Sequence, residues 1–197
     1  MATATLSIPT AGLVSPTTWY KTRDGLKKAI EAGWTKYGKF FKSAAETSKI
    51  PVEMLVAFAA VESNMNPNAQ NGYMTGMMQW NRKDGYANAM LKNEFKLGRL
   101  SEVEKEILKR KGVKWDTNGN FQPITAAQQL DPELNILIGS IYIGQYADSI
   151  VNGKVDSPLW GTTDGIVHLD RIIICYNQGA GSADSLKARS NKYSTPL

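Results

Sequence analysis

The residue best suited to chemistry is Glu62, which follows an almost wholly apolar run that begins near Pro51. Burial removes water from a carboxylate, and the C-terminal end of a helix presents partial negative charge. Both effects raise the pKa, as a general acid that works near neutral pH requires. The same pattern also fits a polar residue that merely ends a buried helix, so this segment alone leaves both interpretations open.

Two further segments carry groups that a sugar-binding cleft uses to orient its ligand. Residues 76–79 place a glycine, which lets a ligand approach the backbone closely, beside two methionines and an amide. Residues 176–179 supply a phenol and two amides at the end of another apolar run. Each segment alone is weak evidence, because loops often carry Asn and Gly. The candidate residues are Gly76, Met77, Met78, Gln79, Tyr176 and Asn177.

Together, and in this order, the segments resemble the lytic transglycosylases of the lysozyme superfamily over roughly residues 48–181. Glu62-Ser63 looks like the catalytic Glu-Ser of that family, and residues 76–79 are similar to its Gly-Leu-Met-Gln. Residues 131–136 are similar to its Asp-Pro-x-x-Asn helix, and residues 176–179 to its Tyr-Asn-Ala-Gly. Two departures are Trp80, where an aliphatic residue is usual, and Gln178, which replaces a small residue.

By that resemblance, Glu62 is the acid/base, and Ser63 and Tyr176 fix its orientation. The residues implied to line or shape the glycan site are Gly76, Met77, Met78, Gln79 and Asn177. The reaction would cleave the MurNAc–GlcNAc β-1,4 bond of peptidoglycan and close a 1,6-anhydro ring without water. Holding the C6 hydroxyl near the anomeric carbon replaces a second reactant. We expect no cofactor and no metal.

Other functions stay open at this stage. A muramidase that admits water would need a second carboxylate, for which Asp84 and Asp116 are the candidates. Asp in a surface turn is, however, far more often structural than catalytic. A non-catalytic glycan-binding component of a virion would keep the cleft without the reaction. Nucleic-acid binding is more distant, because the scattered lysines lack a recognisable reading element.

Composition indicates a globular protein and argues against disulfide-linked and metal-binding proteins. Apolar content of 42% and charged content of 21% are those of an ordinary globular protein, and a net charge of +5 suits an anionic partner. Cys175 is the only cysteine, so no intramolecular disulfide forms, and His168 has no companions at zinc-ligand spacing. Residues 116–127 begin like a calcium loop, but Phe121 and Ala127 replace the required Gly and Glu.

Helices are the elements expected to position these residues. Apolar residues recur every three or four positions from Leu26 to Thr47 between lysines, which predicts an amphipathic helix with a basic face. A second helix, buried all round, should begin near Pro51 and end before Asn66-Pro67. Capping signals predict two further helices, one at residues 101–112 and one that begins at Asp131. A run of apolar residues predicts another helix at 164–176. An Asn-Gly turn predicts a hairpin at 115–121.

The sequence therefore predicts a mainly α, lysozyme-like fold with at most a small β-hairpin. Residues 1–18 should form a flexible arm, and residues 19–197 one catalytic domain. The arm lacks the features of a signal peptide, and no stretch is apolar for long enough to cross a bilayer. We expect peptidoglycan strands, and virion or secretion-machine proteins, as partners, without nucleic acid or membrane insertion. A bacteriophage protein acting on the periplasmic wall fits, as does a bacterial enzyme exported by a specialised secretion machine.

Overall fold

The computed structural model describes residues 23–82 and 85–151 of the 197, and these residues are mainly helical. In chain order the elements are α1 (Arg23–Ser48), α2 (Val52–Ser63), β1 (Gln70–Asn71), β2 (Met74–Thr75), α3 (Tyr86–Lys96), α4 (Glu102–Arg110), α5 (Ala126–Gln129) and α6 (Pro132–Val151). The predicted mainly α, lysozyme-like class with a small hairpin is thereby confirmed. Within the described ranges, no helix is both long enough and apolar enough to span a membrane.

The chain divides into two compact units, Met1–Ser140 and Ile141–Leu197. The first unit holds the elements from α1 to the N-terminal part of α6. In the second unit the described residues are 141–151, the rest of α6, where Ile141, Tyr142 and Ile143 are buried. The expected arm and the expected helix at 164–176 lie outside the described residues. A single domain over residues 19–197 stays a prediction.

Helix α1 is the amphipathic helix that the spacing predicts. Leu26, Ile30 and Phe41 are buried on one face, and the lysines are exposed on the other. Gly33 lies on the buried face, where a Cβ atom would come within 2.8 Å of the Met65 Cβ. Met65 follows α2, so the absence of a side chain at Gly33 is what lets the turn after α2 pack against α1.

Helix α2 has the predicted bounds but not the predicted burial. Met54, Leu55 and Phe58 are buried, whereas Ala57 is exposed and Val61 exposes 57% of its surface. The expectation that α2 is buried all round is therefore wrong, because one of its apolar faces is open to solvent. The last turn of α2 consequently lies at the boundary between core and solvent.

Helices α4 and α6 begin with the predicted caps. Ser101 Oγ accepts from the Glu104 backbone N–H, and the Glu104 carboxylate accepts from the Ser101 N–H, which completes a capping box. Asp131 Oδ1 accepts from the Leu134 N–H at 3.0 Å. These local patterns define both helix starts.

Four charged residues join the end of α4 to the start of α6. Arg110 donates two hydrogen bonds to the Glu133 carboxylate, at 2.7 and 3.0 Å. Lys111 Nζ lies 2.7 Å from Asp131 Oδ2 and 3.0 Å from Glu133 Oε2. We call these four residues the α4–α6 ion cluster, in which every carboxylate has a cationic partner.

The small β element lies elsewhere than predicted. Strands β1 and β2 pair antiparallel, with Gln70 opposite Thr75 and Asn71 opposite Met74, around a two-residue turn. At residues 115–121 the structure has only an isolated bridge between Trp115 and Phe121. The turn residues are Gly72 and Tyr73, and Gly72, with a φ of 61° at the first of these positions, was the available signal for the hairpin.

Candidate active site

Glu62 lies in the last turn of α2, half-buried, with one of its two carboxylate oxygens withdrawn from water. Its Oε1 atom is buried and accepts no hydrogen bond from any residue that the structure describes. Burial raises the pKa of this carboxyl from 4.5 to about 7. Burial was one of the two effects expected from the sequence. A carboxyl with a pKa of about 7 is close to half protonated at neutral pH, so it can both donate and accept a proton.

The backbone reverses direction directly after Glu62. Asn64 and Met65 adopt left-handed φ angles of 55° and 60°. Their N–H groups donate to Ala60 O at 2.9 Å and to Ala59 O at 3.1 Å, which closes the helix end. A left-handed conformation costs of order 1 kcal/mol at a non-glycine residue, and such conformations cluster at functional sites.

Ser63 secures this helix end through its hydroxyl group. Ser63 Oγ donates to Ala59 O at 3.0 Å and accepts from the Asn66 N–H at 3.2 Å. Both partners are backbone atoms, so Ser63 ties the last turn of α2 to the following loop. Any influence of Ser63 on the orientation of the Glu62 carboxylate therefore acts through the backbone.

The Gln79 amide braces the base of the hairpin. Its Nε2 donates to Gly76 O at 2.6 Å and to Ala69 O at 3.2 Å, and the Gly76 N–H also donates to Ala69 O, at 2.8 Å. Gln79 itself has a left-handed φ of 49°. Gln79 was expected to line the glycan site. Its amide nitrogen instead forms hydrogen bonds that hold the loop after Glu62.

Asn135 of α6 connects this loop to the core. Its Oδ1 accepts from the Met78 N–H at 2.7 Å, and its Nδ2 donates to Thr75 O and Gln129 O at 3.0 and 2.9 Å. Trp80 Nε1 donates to Asn135 O at 3.1 Å. Sequence reasoning placed Asn135 in a helix motif and missed Gln129, whose Nε2 donates to Trp80 O, 49 positions away. Contacts between residues 57 or 60 positions apart leave no local pattern.

Gly76, Met77 and Met78 face the protein interior. A Cβ atom on Gly76, where φ is +84°, would come within 2.4 Å of the Asn135 Nδ2. Glycine is therefore required for packing against α6, a different reason from the ligand approach expected from the sequence. Met77 and Met78 are both fully buried, and Met78 packs against Gly139. Their side chains can shape the site only by supporting the backbone.

Asp116, one of the two candidate second carboxylates, holds its own turn together. It accepts from the Asn118 N–H and from the Asn120 N–H and Nδ2, at 2.9, 2.9 and 2.7 Å. The Asn120 side-chain hydrogen bond lowers the pKa of Asp116. The other candidate, Asp84, lies outside the described residues, as do Tyr176 and Asn177.

In the part of the chain that the structure describes, no three His, Cys, Asp or Glu residues cluster as metal ligands would.

Comparison with known families gives one match. Residues 39–100 match the family model of the transglycosylase SLT domain, which is under a third of the chain. The matched part contains α2 with Glu62, the hairpin and the loop up to Trp80. The match supports a lysozyme-like domain of the lytic transglycosylase type, which acts on peptidoglycan. No curated protein and no solved structure matches the chain significantly.

Proposed function

We propose that this protein cleaves the MurNAc–GlcNAc β-1,4 bond of peptidoglycan with Glu62 as its catalytic acid and base. The observation that carries the proposal is the buried Glu62 Oε1, to which no described residue donates a hydrogen bond, together with a pKa that burial raises to about 7. The match of residues 39–100 to the transglycosylase SLT domain supports the choice of substrate.

The proposed reaction has two proton transfers and uses one carboxyl group. Glu62 donates its proton to the bridging oxygen while the glycosidic bond breaks, and the N-acetyl group of the substrate stabilises positive charge at the anomeric carbon. The Glu62 carboxylate then takes the proton of the C6 hydroxyl, whose oxygen bonds to the anomeric carbon and closes a 1,6-anhydro ring. Glu62 ends protonated as it began, and no water is consumed. General acid–base catalysis of this kind contributes about 10²- to 10⁴-fold.

The other residues have positioning roles in this proposal. Ser63 fixes the backbone at the end of α2, and Gln79 fixes the loop that follows. The buried Gly76, Met77 and Met78 hold that loop on the core. For Tyr176 and Asn177, which lie outside the described residues, the family resemblance alone supports a role in glycan binding. The list of proposed site residues is therefore Glu62, Ser63, Gly76, Met77, Met78, Gln79, Tyr176 and Asn177.

Mass spectrometry of digested murein tests the reaction. We expect muropeptides with 1,6-anhydro ends from the wild-type protein and none from Glu62→Gln. Glu53→Gln, in the exposed first turn of the same helix, is the matched control and should give the wild-type products. Reducing ends instead would indicate hydrolysis with Asp84 or Asp116 as the second carboxylate. Binding of glycan without any cleavage would indicate a non-catalytic component.

The place of action is a separate proposal. Peptidoglycan lies outside the cytoplasmic membrane, so the protein must reach the wall to act on it. We favour a bacteriophage protein that is carried in the virion or released at lysis, with export by a specialised secretion machine as the alternative. Proteomic analysis of purified phage particles would support the virion role, and absence from the particles would contradict it.

A further inference from the structure

The exposed tip of the β1–β2 hairpin carries an aromatic–cation pair that the proposed proton transfers do not use. Tyr73 lies in the turn between the strands and exposes 50% of its surface. The Arg82 guanidinium lies over the Tyr73 ring, with 5.8 Å between its carbon and the ring centroid. The Met74–Asn81 bridge and the Arg82 N–H, which donates to Tyr73 O at 3.4 Å, hold the two residues side by side.

Arg82 brings to this tip a positive charge for which the described residues supply no carboxylate. Its Nε atom is buried without a hydrogen-bond partner, and none of the carboxylates that the structure describes forms a salt bridge with it. Arg110, by contrast, donates two hydrogen bonds to Glu133. A buried donor without an acceptor is costly, so its presence points to an acceptor supplied by a ligand.

The hairpin is tied to the end of α2 by consecutive hydrogen bonds. The Asn66 N–H donates to Ser63 Oγ, the Ala69 N–H donates to Asn66 O, and the Gly76 N–H donates to Ala69 O. A ligand group held at Tyr73 and Arg82 is therefore presented at a fixed offset from the helix end that carries the catalytic carboxyl group.

We propose that Tyr73 and Arg82 form a subsite for a sugar that carries a carboxylate, so that the protein selects acidic murein over neutral chitin. The Tyr73 ring would contact the apolar face of the pyranose. The planar Arg82 fork would pair with a carboxylate, a geometry that guanidinium groups match with two N–H donors. This inference rests on the proposed function, because MurNAc has a lactyl carboxylate that is either free or extended by a peptide stem with carboxylates of its own.

Binding measurements separate the two carboxylate sources from a neutral ligand. Calorimetry on the Glu62→Gln protein, which prevents turnover, would use peptide-free glycan strands, strands with peptide stems, and chitooligosaccharides. We expect Arg82→Gln to weaken binding of at least one acidic ligand roughly tenfold and to change the Kd for chitooligosaccharides less than twofold. A tenfold change in Kd corresponds to about 1.4 kcal/mol. Arg82→Lys should restore only part of the loss, because an ammonium lacks the fork.

Two further variants make the result specific. Lys109→Gln removes one positive charge from another cation–aromatic pair, in which Lys109 Nζ lies 5.8 Å from the Trp115 ring centroid, and should change no Kd. Tyr73→Ala should weaken all three ligands, because pyranose contact does not require a carboxylate. Tyr73→Ala also keeps the proposal testable if Arg82→Gln fails to fold.

The outcomes distinguish each claim. A loss confined to peptide-free strands identifies the lactyl carboxylate, a loss confined to peptide-bearing strands identifies the stem, and a loss for both means that either carboxylate binds. An equal loss for acidic and neutral ligands upon Arg82→Gln, or no loss for any, would overturn the subsite and leave Arg82 as a brace of the hairpin. Failure of the proposed function shows separately, as a wild-type protein that binds murein without cleaving it.

Discussion

Glu62 and Glu133 are both glutamates in a terminal turn of a helix, yet their surroundings are opposite. Glu133 lies in the first turn of α6, where the helix dipole favours negative charge, and hydrogen bonds from Arg110 lower its pKa. Glu62 lies in the last turn of α2, its Oε1 receives no hydrogen bond from the residues that the structure describes, and burial raises its pKa. The carboxylate that joins two helices is thus paired with cations, whereas the buried Oε1 of the carboxyl to which we assign the chemistry has no partner in the described part of the chain.

The largest expected effect is on catalysis. Glu62→Gln removes the proton donor and should lower kcat about 10²- to 10⁴-fold. Glu133→Gln, the same change in the paired glutamate, should keep kcat within about twofold, since Glu133 forms ion pairs between helices and takes no part in the proposed reaction. The release of soluble muropeptides from purified murein measures both rates. Similar losses of kcat in the two variants would show that the difference between the surroundings of Glu62 and Glu133 does not affect catalysis.

The next effect is on the pH dependence of cleavage. The acid step needs protonated Glu62, and its pKa is about 7. We therefore expect kcat/KM to fall tenfold per pH unit above pH 7, about 100-fold at pH 9. A profile recorded at constant ionic strength checks this expectation. An alkaline limb centred near pH 4.5 would mean that the carboxyl is solvated.

The same burial should make Glu62 destabilising. Its folded pKa lies above its unfolded value of 4.5, so both states are protonated below pH 4.5 and no difference arises there. As the pH rises towards 7 the unfolded chain ionises first, and the free energy of unfolding falls. Glu62→Gln should thus be more stable than the wild type by about 2 to 3 kcal/mol at pH 8.5. Urea denaturation at pH 4 and 8.5 tests the difference, with Glu53→Gln as control.

Glu133→Gln should change stability in the opposite direction. The folded pKa of Glu133 is lowered, so its contribution is present above the unfolded pKa and is lost as the pH falls through the folded pKa. Because the ion cluster is partly exposed, we expect a loss of about 1 kcal/mol at pH 7, smaller in 1 M salt. Thermal unfolding at both ionic strengths measures it, and a loss independent of salt would argue against a charge effect.

The smallest expected effect belongs to Asp116. Asp116→Asn should leave kcat within about twofold, because its carboxylate is occupied by Asn118 and Asn120 in its own turn. Rate measurement with the murein assay is sufficient. A loss that approaches that of Glu62→Gln would favour hydrolysis with two carboxylates.

Local patterns made part of the molecule predictable. The spacing of apolar residues from Leu26 gave α1, the capping box at Ser101 gave α4, and the cap at Asp131 gave α6, because the hydrogen bonds concerned lie within a few residues. Glu62 could also be identified from a local pattern, because an acidic residue at the end of an apolar run is visible in the sequence.

Features that depend on tertiary contacts could not be predicted from the sequence. The exposure of Val61 depends on which face of α2 lacks a neighbour, and an all-apolar helix carries no periodicity to show it. Strands of two residues have no alternation, so the hairpin at Tyr73 was missed. The burial of Met77 and the engagement of the Gln79 amide arise from packing and hydrogen bonding that span the loop.

Gly33 sets a limit on how this protein can be engineered. Alanine normally stabilises a helix interior by about 1 kcal/mol over glycine, so propensity alone would recommend Gly33→Ala in α1. A methyl group there would collide with Met65 and displace the reversal that follows Glu62. A substitution meant to stabilise the longest described helix would therefore disturb the turn that follows the proposed catalytic carboxyl.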